Sequence, residues 1–82
     1  MKVLITGSAG FIGFHLCNLL IKKKINVIGI DNLNKYYDIK LKKDRTKILK
    51  SIKGNFFRFI KLDISDNKNL KKLFLKYKFT HV

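Results

Sequence analysis

The chain has 82 residues, which suffices for one small domain with a core of marginal size. Nineteen Lys and Arg stand against five Asp and no Glu, so the formal net charge is +14 at pH 7. No apolar stretch approaches the ~20 residues of a membrane span, and the run Val3–Thr6 is too short for a secretory signal. The single Cys17 excludes an internal disulfide, so we expect a reducing, cytoplasmic compartment.

Strand and helix patterns alternate from the start of the chain. Lys2 to Thr6 is an apolar, β-rich run, which is typical of a strand buried on both faces. A helix is predicted from Phe11 to Lys24 and a second strand from Asn26 to Asp31, followed by a polar and aromatic loop at 32–38. The predicted helix carries one apolar stripe at helical spacing, formed by Ile12, Leu16, Leu19 and Leu20.

The same alternation continues through the second half of the chain. A second helix is predicted from about Lys40 to Lys53 and a third strand from Phe56 to Leu62. Asp66 or Asn67 can cap a third helix, and Phe79 to Val82 would begin a fourth strand. Strands that alternate with helices in this way specify an α/β fold with a parallel sheet and right-handed crossovers.

A parallel sheet of this kind is incomplete where the sequence stops. Each inner strand needs a neighbour on both sides and helices over both faces, and a fourth strand that is only begun leaves this requirement unmet. We therefore expect the chain to be an N-terminal fragment, or a truncated reading frame, of a larger α/β protein with a β-α-β-α-β-α-β start.

Three glycines separate the first strand from the first helix, in the stretch TGSAGFIG. A strand that runs through such a loop into a helix N-terminus makes an anion site from free N–H groups and the helix dipole. Gly7 would permit a tight turn, Gly10 the approach of backbone to a pyrophosphate, and Gly13 close helix packing. Alternatively, the glycines form only a tight turn between strand and helix, without binding an anion. A phosphate loop of the Gly-Lys-Ser/Thr type is excluded, because Phe14 and His15 follow the last glycine.

The number of residues between this loop and the next acidic residue is informative. Asp31 ends the second strand, roughly where an acidic residue meets the adenosine ribose in dinucleotide-binding folds. A carboxylate accepts hydrogen bonds from the ribose hydroxyls and would repel a 2′-phosphate, which favours NAD over NADP. No metal site is expected, because His15 and Cys17 do not face one direction on a helix and no Cys/His cluster exists.

These residues resemble a known family. TGSAGFIG is similar to the TGxxGFIG fingerprint of the extended short-chain dehydrogenase/reductases, which are NAD-dependent nucleotide-sugar epimerases and dehydratases. The stretch from Asp31 to Asp38, with Leu41, Lys42 and Arg45, resembles the more specific DNLNxYYDxxLKxxR pattern of the UDP-glucuronate 4-epimerases. The resemblance covers essentially all 82 residues.

The resemblance implies that residues 1–82 are part of an NAD-binding, Rossmann-type domain with a doubly wound parallel sheet. Asp31 and Asn32 would hold the adenosine ribose, with Asn34 as a further candidate. Asp63 and Ile64 would contact adenine, although Asp63 has a strand-end cap as its alternative role. The residues implied for the pyrophosphate loop are Gly7, Gly10, Phe11, Ile12 and Gly13.

The family's catalytic residues are not expected in this chain. In the family, NAD oxidises the sugar at C4 and hydride then returns to the other face, with a Ser/Thr and a Tyr-x-x-x-Lys pair that lie beyond residue 82. Tyr36 and Lys40 match that pair by spacing, but they lie at the adenosine end. We therefore expect a chain that is inactive alone and binds NAD weakly or not at all, within a parent that binds a nucleotide sugar and forms a homodimer.

Other functions stay open at this point. The parent could be a nucleotide-sugar 4,6-dehydratase of the same family. The charge suggests a small basic nucleic-acid-binding module, but the lysines are scattered along the chain, and abundant Lys, Ile and Asn are typical of an A+T-rich genome. A remnant without activity is a third alternative. No membrane partner is expected.

Overall fold

A computed structural model describes residues 1–33 and 38–82, in which three strands alternate with three helices. The three complete strands and three helices predicted from the sequence are present, with ends within two residues of those predicted, whereas the predicted fourth strand is present only as an isolated bridge at His81. The first helix ends before its predicted limit because Lys24 takes a left-handed backbone conformation, with φ at 61°. The elements are β1 (Lys2–Thr6), α1 (Phe11–Lys22), β2 (Asn26–Asp31), α2 (Ile39–Ser51), β3 (Phe57–Lys61) and α3 (Asn67–Tyr77).

The strands form a parallel sheet in the order β1-β2-β3, with Leu4 opposite Ile28 and Ile28 opposite Arg58. The predicted fourth strand begins on the other side of β1, where His81 forms a parallel bridge with Val3. The Leu4 N–H donates to the His81 carbonyl at 2.9 Å. β1 therefore has a neighbour on each edge, which is the arrangement expected at the start of a doubly wound sheet.

The sheet carries helices on both faces. Alternate side chains of the strands point to opposite faces, so Val3 and Val27 pack with Cys17 of α1 and Leu49 of α2 on one face. On the other face, α3 covers a second cluster. Its buried members are Leu4, Ile28, Ile30, Leu62 and Leu73. None of the helices in the described part of the chain is long and apolar enough to cross a membrane.

The apolar stripe predicted on α1 is largely not its buried face. Ile12, Leu16 and Leu19 are exposed, and Leu20 alone of the stripe is partly buried against the core. The fully buried residues of the helix are Cys17 and Ile21. The rotation of the helix is set at its start, because Gly13 lies directly against the backbone of the preceding loop. Residues four and eight positions further along share the face of Gly13, and they are the ones that reach the sheet.

Candidate functional site

The loop between β1 and α1 is a tight glycine turn fastened to the neighbouring strand. Gly7 has φ at +66°, a conformation that glycine adopts without steric cost. The Gly10 N–H donates to the Gly7 carbonyl at 2.9 Å, and the Ser8 N–H donates to the Ile30 carbonyl at 3.1 Å. The turn predicted at Gly7 is therefore confirmed, and the loop is held beside the end of β2.

The helix begins in close contact with this turn. A Cβ on Gly13 would lie 2.1 Å from the Gly7 carbonyl oxygen, a separation that no side chain can occupy. A Cβ on Gly10 would lie 3.2 Å from the same oxygen, which is tight. The close packing predicted at Gly13 is therefore confirmed, and it brings the N-terminus of α1 to the carboxyl end of β1.

The first turn of α1 presents backbone donors without a side-chain cap. Gly10 occupies the N-cap position and makes no side-chain hydrogen bond, and the first turn contains no acidic residue. The Phe14 N–H is the donor that bonds to the Gly10 carbonyl, at 2.9 Å. The N–H groups of Phe11, Ile12 and Gly13 precede that bond, so they point out of the helix end, where its dipole favours an anion.

A strand glycine makes room for the loop. A Cβ on Gly29 would lie 2.7 Å from both the Cβ and the Oγ of Ser8, which is itself 1% exposed. The Ser8 Oγ has no hydrogen-bond partner in the described structure. Gly29 was not singled out from the sequence, although a glycine inside an apolar strand is a signal of close backbone approach.

Asp31 is buried at the end of β2 and is held by three donors. Its Oδ2 accepts the Ala9 N–H at 3.1 Å, while its Oδ1 accepts the Leu33 N–H at 2.8 Å. The Lys42 ammonium lies 3.4 Å from Oδ1. A carboxylate has about four lone-pair directions, and the described residues occupy three of them, which leaves one on Oδ2.

Asp63 follows β3, and its side chain has two partners among the described residues, Ser65 and Asn32. Its Oδ1 accepts the Ser65 N–H at 2.9 Å and the Ser65 hydroxyl at 2.8 Å, and the Asn32 side-chain amide lies 3.4 Å from Oδ2. These hydrogen bonds, with the Ser65 N–H the largest contributor, hold the pKa of the Asp63 carboxyl below its usual range. The strand-end cap is thus present, and Oδ2 turns toward the neighbouring strand end.

Two adjoining cavities lie at the carboxyl ends of the strands. One of about 580 Å³ extends from the glycine loop to the first turns of α2, and one of about 290 Å³ lies between the ends of the three strands. Thr6, Gly7 and Lys42 line both. The described members of the predicted site all line one or the other: Gly7, Gly10, Phe11, Ile12, Gly13, Asp31, Asn32, Asp63 and Ile64.

The structure also assigns contacts to residues that the sequence left without a role. Lys42 and Arg45 of α2 line the larger cavity with the glycine loop, and Arg45 donates to the Ala9 carbonyl at 3.2 Å. Their spacing of three places them on one side of a helix, and both belong to the DNLNxYYDxxLKxxR pattern, which gave them no role. Asn34 and Tyr36 lie outside the described residues. Among the residues that are described, no group of three or more His, Cys, Asp or Glu could hold a metal ion.

Comparison with known protein sequences gives consistent matches. The family model described as GDP-mannose 4,6 dehydratase matches residues 4–82. Protein CapI of Staphylococcus aureus is 49% identical over 75 residues, which are 92% of this chain and 22% of that protein. UDP-glucuronate 4-epimerase 2 of Arabidopsis thaliana is 44% identical over 82 residues, or 100% of this chain and 18% of that protein. The chain therefore spans about a fifth of the length of these curated relatives.

Solved structures agree with the fold. The UDP-glucuronic acid 4-epimerase of Bacillus cereus, in complex with UDP-glucuronic acid and NAD, matches with a TM-score of 0.79 and 37% identity. That match covers 100% of this chain and 26% of the other. The UDP-glucose 4-epimerase of Thermotoga maritima, with UDP-glucose, matches with a TM-score of 0.72 and 26% identity, over 100% and 24% of the two chains. The expected start of a Rossmann-type sheet is thus confirmed.

Proposed function

The chain belongs to the family described as GDP-mannose 4,6 dehydratase, and on that premise we propose that residues 1–82 are the NAD-binding N-terminal portion of a UDP-glucuronate 4-epimerase-like enzyme. One observation carries the proposal. The described residues of the predicted NAD set line two adjoining cavities at the carboxyl ends of parallel strands. Ligands of open α/β sheets bind at that edge.

The glycine loop would hold the pyrophosphate. The N–H groups at the start of α1 have no side-chain cap, and no carboxylate in the first turn competes with an anion. The absent side chain of Gly10 lets a phosphate approach the backbone, and Gly7 and Gly13 keep the turn in place. Phe11 and Ile12 contribute their backbone N–H groups to the site.

Asp31 and Asn32 would hold the adenosine ribose. Three donors fix the Asp31 carboxylate, and the remaining lone pair on Oδ2 can accept a bond from a ribose hydroxyl. A 2′-phosphate would bring negative charge to the same carboxylate, which supports NAD rather than NADP. Asn34 stays a candidate for this part of the site.

Asp63 and Ile64 would contact the adenine ring. Ile64 is exposed beside the smaller cavity, where its apolar side chain could pack against the ring. The Asp63 carboxylate could accept a hydrogen bond from the adenine amino group. Asn32 links the ribose and adenine parts of the site through its contact with Asp63 Oδ2.

The activity itself belongs to the longer protein in this proposal. NAD, when bound, supplies the acceptor and donor of the hydride at the sugar C4. The chain spans about a fifth of its curated relatives, and we assign the Ser/Thr, the Tyr-x-x-x-Lys pair, the sugar pocket and the homodimer contacts to the remainder of such a protein. The 82-residue chain alone is then inactive. A nucleotide-sugar 4,6-dehydratase is the second candidate, favoured by the description of the family model.

Titration of the isotope-labelled chain with NAD, followed by NMR, tests the cofactor site. We expect millimolar NAD to shift the backbone amides of Gly10–Gly13, Asn32 and Ile64, while those of Lys71 and Leu75 on α3 stay unchanged. Binding should be weak, because the 82 residues span only about a fifth of the length of the curated relatives. Asp31→Ala should reduce the shifts.

Two outcomes of this titration would count against the proposal. Submicromolar affinity, measured by calorimetry on the same chain, would contradict the expected weakness. No shift with NAD, together with steeply salt-dependent binding to any duplex that Asp31→Ala leaves unchanged, would favour the nucleic-acid-binding alternative.

A further inference from the structure

One residue of the glycine loop is held at both of its backbone polar groups. Ala9 is fully buried. Its N–H donates to Asp31 Oδ2 at 3.1 Å, and its carbonyl accepts from the Arg45 guanidinium at 3.2 Å. The two partners come from different elements, the end of β2 and the second turn of α2. The conformation of the loop is therefore fixed from outside the loop.

Arg45 makes a second contact with the same loop. Its guanidinium carbon lies 5.9 Å from the centre of the Phe11 ring, within the range of a cation–π interaction. Phe11 is the first residue of α1 and contributes one of the outward N–H groups. The guanidinium thus connects the Ala9 carbonyl to the residue that begins the helix.

The position of Arg45 is itself well defined. The Asp38 side chain caps α2 by accepting the N–H groups of Lys40 and Leu41, at 3.0 and 3.3 Å. Three residues before Arg45, on the same side of the helix, the Lys42 ammonium lies 3.4 Å from Asp31 Oδ1. The first turns of α2 therefore contact both the loop and the carboxylate that supports it.

We propose that Arg45 is a positioning residue for the pyrophosphate loop, an inference that rests on the proposed NAD site. It holds the Ala9 carbonyl and the Phe11 ring so that the first N–H groups of α1 keep the direction an anion requires. A guanidinium suits this task because its planar, rigid fork donates to a carbonyl while its face contacts a ring. Arg45 acts through the shape of its guanidinium, and a positive charge at this position is not sufficient to hold the loop.

Three variants distinguish the geometry of the Arg45 guanidinium from its positive charge. Arg45→Met keeps the length of the stem and removes the guanidinium. Arg45→Lys keeps the charge and removes the planar fork. Lys47→Met removes one charge from an exposed position of the same helix and is the control.

NAD titration by NMR and amide hydrogen exchange without NAD are the two measurements, on the full chain. We expect the initial slope of the NAD-dependent shifts to fall about tenfold in Arg45→Met and in Arg45→Lys, a change equivalent to ~1.4 kcal/mol. Exchange at Gly10–Gly13 should accelerate relative to the core amides of β2 in both variants. Lys47→Met should change neither quantity.

The possible results distinguish failure of the proposed Arg45 role from failure of the proposed NAD site. Slopes in Arg45→Met equal to those of the unsubstituted chain, or full recovery in Arg45→Lys, would overturn the positioning role and leave the NAD site intact. No NAD-dependent shift in the unsubstituted chain would overturn both. If Arg45→Met fails to fold, the milder Arg45→Lys decides the question by the same two measurements.

Discussion

The glycines of the loop are required for different physical reasons. Gly7 has a left-handed backbone with open space where a Cβ would stand, so its requirement is conformational. Gly13 has ordinary helical geometry, but its Cβ would meet the Gly7 carbonyl oxygen at 2.1 Å, so its requirement is steric. Gly10 lies between these cases, with a separation of 3.2 Å from the same oxygen.

Alanine at each position should therefore cost different amounts of folding free energy. Gly7→Ala should cost ~1–2 kcal/mol from the left-handed conformation. Gly13→Ala should cost more than ~3 kcal/mol, because backbone must move and the ~1 kcal/mol gained in helix propensity is too small to offset this. Gly10→Ala should cost about 1 kcal/mol, as the loss of a favourable N-cap residue. Urea denaturation followed by circular dichroism measures all three.

The informative comparison is the order of the three variants. Gly13→Ala should be the least stable, and in a small domain it is expected to be largely unfolded. A Gly13→Ala chain as stable as Gly7→Ala would contradict the close contact between α1 and the loop.

At the scale of elements, α1 shows how a tertiary contact selects a helix face. The helix is apolar on most sides, with the sequence FIGFHLCNLLIK. The contact at Gly13 turns Cys17 and Ile21 toward the sheet and leaves Leu16 and Leu19 exposed. The buried face is therefore the one that continues from the glycine.

Two matched truncations on α1 test this rotation. Ile21→Ala removes a side chain that is 2% exposed and should cost ~2–4 kcal/mol of the free energy of unfolding. Leu19→Ala removes a side chain that is 52% exposed and should cost about 0.5 kcal/mol or less. A loss in Leu19→Ala as large as that in Ile21→Ala would contradict this rotation of the helix.

The helices, the strands and much of the candidate site can be predicted from the sequence, because the signals for them lie in short runs of neighbouring residues. The strand at Asn26–Asp31 and the helix capped by Asp66 are specified by runs of neighbouring residues and a capping side chain. The fingerprint TGSAGFIG and the position of Asp31 place the predicted cofactor residues at strand ends, and the parallel sheet brings these ends together.

The rest depends on contacts between distant residues. The rotation of α1 follows from Gly13 touching Gly7, and no spacing in a nearly all-apolar helix indicates it. The contact of Arg45 with Ala9 joins residues 36 positions apart, which no local pattern encodes. The ion pair of the buried Asp31 likewise joins it to Lys42, 11 positions further along the chain.

At the scale of the whole molecule, Cys17 reports on folding. It is fully buried in the core between the sheet and the first two helices, and burial raises the pKa of its thiol to about 12. The folded chain therefore keeps the thiol proton at a pH where the unfolded chain has lost it. Stability should accordingly fall as the pH rises above the ordinary thiol pKa.

Thiol labelling of the chain at pH 8 uses this property. Reaction of Cys17 with a disulfide reagent should be at least ~100-fold slower than in concentrated urea, because the thiolate forms only after the core opens. A Cys17→Ala chain is the blank for the reagent. Labelling at the same rate in buffer and in urea would show that the 82 residues do not form this core alone.

The two bonds of Ala9 also bear on the order in which the chain folds. Its partners lie 22 and 36 residues further along the sequence, on β2 and α2. Closing loops of that length costs conformational entropy before either hydrogen bond can form. A nascent chain that has exposed only the glycines cannot yet hold them in shape, so the stretch most visible in the sequence should be among the last to acquire its native geometry.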